Sequence, residues 1–214
     1  MVMIVDNKAR IREKAKELFM QLGMRRVSMD DIANSIGMSK KTLYQYYTHK
    51  ETLVADTIEM ILELNSANCE NCRQSAKNAI HEGFLATKSV SEMMKNMNPV
   101  LLFDMQKYYP AAYRKFLKFK EDFLYNFIRY SLEWGVKDGL FREDIDINFV
   151  SRLRLESINL PFQRNFYDAM NTDLGTLQKE IFMLFLYGIA TPKGTRMINK
   201  YRTEKQKPFT DDNK

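Results

Sequence analysis

Lysine, tyrosine and small hydroxyl side chains are concentrated in one short stretch of this sequence, between residues 39 and 50. Lysine ammonium groups can neutralise DNA phosphates or reach guanine edges, and hydroxyl groups can donate to phosphate oxygens. Backbone N–H groups at the start of a helix also attract anions. The sequence therefore predicts a surface that contacts double-stranded DNA, formed by Ser28, Ser39, Lys40, Lys41, Thr42, Tyr44, Gln45, Tyr46, His49 and Lys50.

Two short helices joined by a tight turn are predicted to position this surface. Ser28 and Asp31 have the spacing of a capping box at the start of the first helix, Gly37 ends that helix, and Ser39 caps the second. Helices separated by so few residues must cross sharply. This is the helix-turn-helix pattern, in which the first helix braces the second and the second faces the major groove.

The spacing of apolar residues predicts which face of the second helix is buried. Leu43 and Tyr47 lie four residues apart and are expected to point inward, against Ile32 and Ile36. The residues left on the outer face are Lys40, Lys41, Tyr44 and Gln45.

The same stretch resembles the TetR family of bacterial transcriptional regulators. The residues that carry the resemblance are Gly23, Asp31, Ile32, Ala33, Gly37, Met38, Ser39, Thr42, Leu43, Tyr44, Tyr46, Tyr47, Lys50, Glu51 and Leu53. Two positions depart from the family pattern, because Tyr47 stands where the family usually has Phe and His49 where a small polar residue is common. The resemblance covers only the beginning of the chain.

The resemblance implies a fold class and a function. The fold is expected to be all-α, with an amino-terminal three-helix helix-turn-helix DNA-binding domain followed by a helical domain for ligand binding and dimerisation. The function implied is that of a regulator, usually a repressor, which binds a palindromic operator as a homodimer and is released by a small-molecule effector. The predicted divisions are residues 1–50 for DNA binding, 51–190 for effector binding and dimerisation, and 191–214 for a loosely held polar tail.

Composition and charge agree with these expectations. The 214 residues include only eight Gly and five Pro, which favours helices almost throughout. The net charge is +6, and residues 1–50 hold ten Lys or Arg against five Asp or Glu. A local excess of cations beside a helix-turn-helix is typical of a phosphate-binding surface. No signal peptide or bilayer-spanning apolar run is apparent, so we expect a cytoplasmic protein without membrane contact.

Cys69 and Cys72 form a Cys-x-x-Cys pair within the helix expected to follow residue 50. Such a pair can hold a metal or perform thiol redox chemistry. Metal binding needs further ligands, and His49 and His81 are the only histidines. A redox pair normally sits at a helix start after a strand. We expect structural thiols, with a thiol-redox protein as an alternative, and no enzyme activity, metal or cofactor.

The effector site is harder to locate from sequence. Aromatic and thioether side chains suited to an apolar ligand are Met94, Met97, Phe103, Met105, Tyr108, Phe123, Phe127 and Trp134, although each is individually more typical of core packing. Arg152, Arg154 and Arg164 can pair with an anionic ligand, but interface or surface salt bridges explain them equally well. A constitutive DNA-binding protein without an effector is a further alternative.

Dimerisation is predicted to use the last two strong helices, at about residues 146–167 and 174–188. Asp146 and Asp173 are suitable N-caps for them, and Pro161 should bend the first. Their apolar residues can form half of a four-helix bundle with a second chain.

Overall fold

The computed structural model of the chain describes residues 6–204. Within that range twelve α-helices follow one another. They are α1 (Asn7–Leu22), α2 (Met29–Ser35), α3 (Lys40–Tyr46), α4 (Lys50–Ser75), α5 (Ala79–Met94), α6 (Leu101–Tyr108), α7 (Pro110–Phe119), α8 (Tyr125–Lys137), α9 (Ile147–Ser157), α10 (Arg164–Met170), α11 (Leu174–Ile189) and α12 (Pro192–Glu204). A π-helical turn, Lys120–Leu124, joins α7 to α8, and a 3₁₀ turn, Leu160–Phe162, precedes α10. The prediction of an all-α fold is confirmed.

Side-chain caps fix the two helices of the helix-turn-helix. Ser28 and Asp31 form a reciprocal capping box at the start of α2. The Ser39 hydroxyl oxygen accepts a hydrogen bond from the backbone N–H of Thr42 at the start of α3. These caps satisfy N–H groups that have no partner inside the helix, which stabilises both helix starts where the sequence predicts them.

One hydrophobic core runs from the first three helices into the following ones. Its buried members come from α1 to α6, and they include Ile11, Phe19, Ile32, Leu43, Leu53, Met94, Met97, Leu101 and Met105. The boundary predicted at residue 50 coincides with the start of α4. The core crosses this boundary, so the first three helices are packed against α5 and α6 side chains and do not have a separate core.

A second core lies at the opposite end of the helical region. It is formed mainly by α5, α8, α11 and α12, through Ile80, Phe84, Leu132, Phe182, Leu186 and Ile198. Gly175, at the start of α11, lies so close to α5 that an added Cβ would come within 2.3 Å of the Ser91 carbonyl oxygen. A residue without a side chain therefore allows α5 and α11 to approach closely.

Two expectations about the carboxyl-terminal part require correction. The helix predicted to run toward Tyr167 is divided, because α9 ends at Ser157 and Pro161 lies in the 3₁₀ turn before α10. The prediction of a loosely held tail from residue 191 is wrong for residues 192–204, which form α12. Ile198 of this helix is fully buried in the second core. Residues 205–214 lie outside the described part of the chain.

Among the helices of residues 6–204, none combines the length and the apolar character that a bilayer-spanning segment requires.

Candidate DNA-reading surface and internal cavity

The outer face of α3 is a polar surface supported from behind by buried side chains. Leu43 and Tyr47 are buried, as their spacing predicts. Lys40, Lys41, Tyr44 and Gln45 are exposed, and Tyr46 is exposed beside them. The helix thus presents ammonium, amide and hydroxyl groups outward on a short, rigid support.

Two contacts hold parts of this surface in place. The Lys40 ammonium lies 2.9 Å from an Asp30 carboxylate oxygen, and this hydrogen bond raises the pKa of Lys40. The Asn7 side-chain N–H donates to the Tyr46 hydroxyl at 3.1 Å, which connects the start of α1 to α3. Because Lys40 and Asp30 are both exposed, a DNA phosphate can replace the carboxylate at little cost.

The hydroxyl groups predicted to contact DNA are partly engaged in capping. The Ser28 hydroxyl donates to Asp31 at 2.7 Å, and the Ser28 N–H, donating to the same carboxylate, lowers the Asp31 pKa. The Ser39 and Thr42 hydroxyl oxygens lie 2.8 Å apart. Each of these residues retains lone pairs or backbone groups at the helix starts, but their first role in the structure is to cap α2 and α3.

His49 and Lys50 occupy different environments at the start of α4. His49 is exposed and makes no side-chain capping bond. Lys50 is half-buried, its ammonium donates to the Arg25 carbonyl oxygen at 3.2 Å, and it lies 5.6 Å from the centre of the Tyr109 ring. Burial lowers the pKa of Lys50. The structure therefore places Lys50 at the edge of the surface, facing the α1–α2 loop.

Tyr47 has a role that sequence reasoning missed. Its hydroxyl donates a hydrogen bond to Asp56 of α4, and burial together with this bond raises the pKa of Tyr47. Lys8 and Arg12 of α1 also lie within ion-pair distance of Asp56, at 3.3 and 3.7 Å. A phenylalanine here would lack this bond, so the hydroxyl adds a polar tie between the end of α3 and α4.

A cavity of about 240 Å³ lies inside the helical region. It extends from Met20, Met97 and Met105 beside the helix-turn-helix to Arg154 and Phe182 on α9 and α11. Most of the side chains around it are aliphatic, aromatic or methionine. Such a cavity suits a ligand with an apolar body.

The structure brings together only part of the predicted effector site. The cavity is lined by Met94, Met97, Met105 and Phe127, and it is not lined by Phe103, Tyr108, Phe123 or Trp134. Phe103 is 54% exposed and packs edge-on against Tyr108 at the outside of α6. Phe123 stacks on Phe119 and Phe127, and Trp134 packs against the second core. These four residues are on helix faces that point away from the cavity.

Buried polar groups in the cavity wall were not predicted as a set. Glu82 is fully buried and pairs with Arg73, whose Nε lies 2.6 Å from a Glu82 carboxylate oxygen, while the Ser131 hydroxyl donates to the same carboxylate. Arg154 and Gln178 are also buried cavity residues. A charged residue on a helix that is otherwise apolar at the same face was the available sequence signal for Arg154.

Cys69 and Cys72 are free thiols buried along α4. Burial raises the pKa of Cys69 to about 12 and also raises that of Cys72. Thiolates are the reactive form of cysteine, and these groups remain thiols near neutral pH. This environment argues against the thiol-redox alternative. Within residues 6–204, no cluster of His, Cys, Asp or Glu has the makings of a metal site.

The cavity and the DNA-reading surface are connected through α6. The backbone N–H of Asn98, just before α6, donates to the Met20 carbonyl oxygen at 2.7 Å, and Asp104 of α6 accepts from the backbone N–H of Arg25 at 3.0 Å. The Tyr109 hydroxyl donates to the Met24 carbonyl oxygen at 3.3 Å. The loop between α1 and α2 therefore rests directly on a helix that lines the cavity.

The beginning of the chain matches a known family. The sequence profile of the family described as "Bacterial regulatory proteins, tetR family" matches residues 11–57. The chain is also 25% identical over 182 residues to the HTH-type transcriptional repressor KstR2 of Rhodococcus jostii, and the match covers 83% of this chain and 88% of the relative. A shorter match, 30% identical over 87 residues, covers 40% of this chain and 46% of the uncharacterized HTH-type transcriptional regulator YvaF of Bacillus subtilis.

Solved structures share the fold over most of their length. A TetR-family regulator from Agrobacterium tumefaciens superposes with a TM-score of 0.73 at 12% identity, covering 86% of this chain and 97% of that one. The ketosteroid transcriptional regulator KstR2 of Mycobacterium tuberculosis superposes with a TM-score of 0.59 at 16% identity, covering 88% and 97%. At such identities the likeness concerns the fold. Taken with the family profile and the KstR2 match in sequence, it means that the chain belongs to the TetR family and is a transcriptional regulator, not an enzyme.

Proposed function

We propose that the chain is a homodimeric repressor that binds a palindromic operator through two copies of α3 and releases it when a small molecule occupies the internal cavity. The observation that carries the DNA-binding part is the outer face of α3, where Lys40, Lys41, Tyr44 and Gln45 are exposed around a buried Leu43. Lysine and tyrosine groups on a helix of this kind contact phosphates and base edges in the major groove. We assign Ser28, Ser39, Thr42, Tyr46, His49 and Lys50 to the rim of this surface.

An exposed apolar face on α9 and α11 supports the dimer. Phe149 and Leu153, one turn apart on α9, are 64% and 53% exposed, and Leu184 of α11 is 75% exposed. Large apolar side chains gathered at such exposures are typical of protein–protein interfaces. A twofold pairing of these helices would bury the face against its own copy and complete a four-helix bundle.

Dimerisation also fits the requirements of operator binding. One α3 helix can read only a few base pairs, and two half-sites about 34–36 Å apart supply the affinity and specificity that one lacks. The twofold axis of the protein then matches that of a palindromic operator. A change in the separation of the two α3 helices would be enough to abolish simultaneous contact.

The position of the cavity supports control by an effector. Met97 and Met105 line the cavity, and they flank and belong to α6, the helix on which the α1–α2 loop rests. A ligand that fits only one arrangement of these side chains shifts the population toward that arrangement. Movement of α6 would be transmitted to the α1–α2 loop and so to α3. This cavity favours a ligand-responsive regulator over a constitutive DNA-binding protein.

The proposed division of labour is residues 1–50 for DNA binding and residues 51–190 for effector binding and dimerisation. In this division α12 supports the second core and the masked terminal residues have no assigned part. As a regulator of bacterial genes, the protein would act in the cytoplasm, where the DNA lies.

Fluorescence anisotropy with the full-length protein tests the proposal. The titrations would use labelled DNA from the region upstream of its gene and a random duplex of equal length. We expect tight binding to one upstream segment, with protection of two half-sites in a footprint and a steep fall in affinity as salt rises. Equal affinity for the random duplex at every salt concentration would contradict the proposal.

A further inference from the structure

The buried charges in the cavity wall do not balance. Glu82 is neutralised by Arg73, with their side-chain atoms 2.6 Å apart. Arg154 is only 8% exposed, and no described carboxylate lies within ion-pair distance of its guanidinium. The nearby acid of the same helix, Glu156, is instead paired with Lys120. The cavity therefore contains one positive charge without a negative partner from residues 6–204.

Arg154 has hydrogen-bonding capacity to spare. A guanidinium carries five N–H donors in a flat fork that matches a carboxylate. Among the described residues, its side chain donates one hydrogen bond, from Nη1 to the Ser157 hydroxyl oxygen at 3.1 Å. The rings of Phe182 and Phe185 pack on the group, with centres 5.3 and 5.7 Å from Cζ. Although burial lowers the pKa of Arg154 to about 10, the group is still protonated at neutral pH.

A second polar group in the same wall lacks a partner. Gln178 of α11 is 2% exposed and lines the cavity, and its side-chain oxygen Oε1 makes no hydrogen bond to any described atom. A buried polar group without a partner costs stability, and an uncompensated buried charge costs more. Two such groups on α9 and α11 within one cavity wall indicate a place prepared for a polar part of a ligand.

We infer that the effector is an amphipathic acid, an apolar molecule with one anionic head group that pairs with Arg154 while its body fills the methionine- and phenylalanine-lined part of the cavity. The volume of about 240 Å³ exceeds the roughly 150 Å³ that suffices for benzene, so the body can be a medium-length chain or more than one ring. Gln178 then bonds a second polar atom near the head group. This inference rests on the proposed function and narrows its effector to one chemical class.

The test compares an acid with a neutral molecule of the same chain length. Isothermal titration calorimetry of the full-length protein would use decanoate and decan-1-ol at pH 8. We expect decanoate to bind at least about tenfold more tightly, since hydrogen bonds to a charged group contribute about 1.5–3 kcal/mol. Failure of either probe to bind, or equal affinity for both, would overturn the inference.

Substitutions at two arginines of α9 make the test specific. Arg154→Met keeps an unbranched side chain of similar length without the charge, and we expect it to remove the preference for decanoate while leaving decan-1-ol binding within about twofold. Arg154→Lys should retain part of the preference. Arg152→Met is the matched control, because Arg152 is exposed and its Nη1 bonds Glu121 at 2.6 Å. Arg152→Met should bind both probes as the unsubstituted protein does.

Two further outcomes separate this inference from the proposed function. If Arg154→Met kept its preference for the acid, or if it bound both probes normally but no longer dimerised in sedimentation experiments, Arg154 would not hold a head group. If decanoate bound through Arg154 but left the operator complex intact at saturation, the inference about the site would stand and the proposed release mechanism would fail.

Discussion

The carboxylate of Asp104 accepts a hydrogen bond from the backbone N–H of Arg25, with 3.0 Å between the two atoms. Asp104 belongs to α6, whose neighbouring residues line the cavity, and Arg25 belongs to the loop before α2. This single bond spans 79 residues of sequence. It is a short structural connection between a ligand-sized space and the helices that face DNA.

Replacing Asp104 by Ala should lower the free energy of unfolding by about 1–3 kcal/mol, because the Arg25 N–H would be left without its acceptor in a part-buried site. Urea unfolding at equilibrium measures this change. Asp104→Asn is the control, since its amide oxygen can still accept the bond, and it should lose clearly less. Equal losses in the two variants would show that the bond to Arg25 is not the important interaction of Asp104.

Replacing Lys41 by Ala should weaken operator binding and reduce the slope of log affinity against log salt by about one, the change expected from the loss of one phosphate contact. Lys41 is exposed on the outer face of α3. Anisotropy titrations at several salt concentrations give the slope.

Lys88→Ala is the matched control for Lys41→Ala. Lys88 is an exposed lysine of α5, far along the chain from the helix-turn-helix, and its loss changes the net charge by the same amount. We expect its salt slope to equal that of the unsubstituted protein. The same slope in both variants would place Lys41 outside the DNA interface.

Replacing Leu184 by Asp should raise the dissociation constant of the dimer at least about 30-fold, the change produced by losing about 2 kcal/mol at an interface centre. Leu184 is 75% exposed in one chain, so the substitution should leave the monomer folded. Sedimentation equilibrium measures the constant and circular dichroism checks the helices. Leu64→Asp, at an exposed leucine of α4, is the control and should remain dimeric.

Cys69 should make the folded state less stable at alkaline pH. Its pKa is about 12 in the folded chain, against 9.0 for an unperturbed thiol, so the unfolded state loses its proton first. The contribution of Cys69 to stability is therefore fully present below pH 9 and is lost as pH rises toward 12. Urea unfolding of Cys69→Ala should show a shallower decline across this range than the unsubstituted protein. Parallel declines would mean that the thiol does not titrate as its burial indicates.

The DNA-reading helices could be predicted from sequence because their signals are local. Ser28 and Ser39 act on N–H groups two or three residues away, and the four-residue spacing of Leu43 and Tyr47 identifies a face of one helix. None of these inferences needs the position of a distant element. The pattern itself specified the caps, the turn and the outward side chains.

The cavity could be predicted only in part, because it is made by residues from many helices. Periodicity shows that Met94 and Phe103 are apolar members of helices, but it does not show which neighbouring helix each one meets. Met94 turned out to face the cavity and Phe103 the outside of α6. The pairing of Glu82 with Arg73 on another helix, which leaves Arg154 unmatched, likewise depends on tertiary contacts.

The helix α12 was missed because its apolar residues are few. Met197, Ile198 and Tyr201 form a narrow stripe in an otherwise charged segment. A stripe this narrow has a weak periodic signal, and the helix is stabilised by burial of Ile198 against a core formed by other helices.

The π turn between α7 and α8 sets the rotational phase of the whole second half of that rod. The backbone N–H of Tyr125 donates to the carbonyl oxygen of Lys120, five residues earlier, so the turn contains one residue more than an α-helical repeat. Deleting a single residue there would restore ordinary winding and rotate everything after it by about 100° relative to α7. Phe127 and Ile128 would then swing out of the ligand space, so a change of one codon in this short segment could redesign the receptor without altering any residue of its wall.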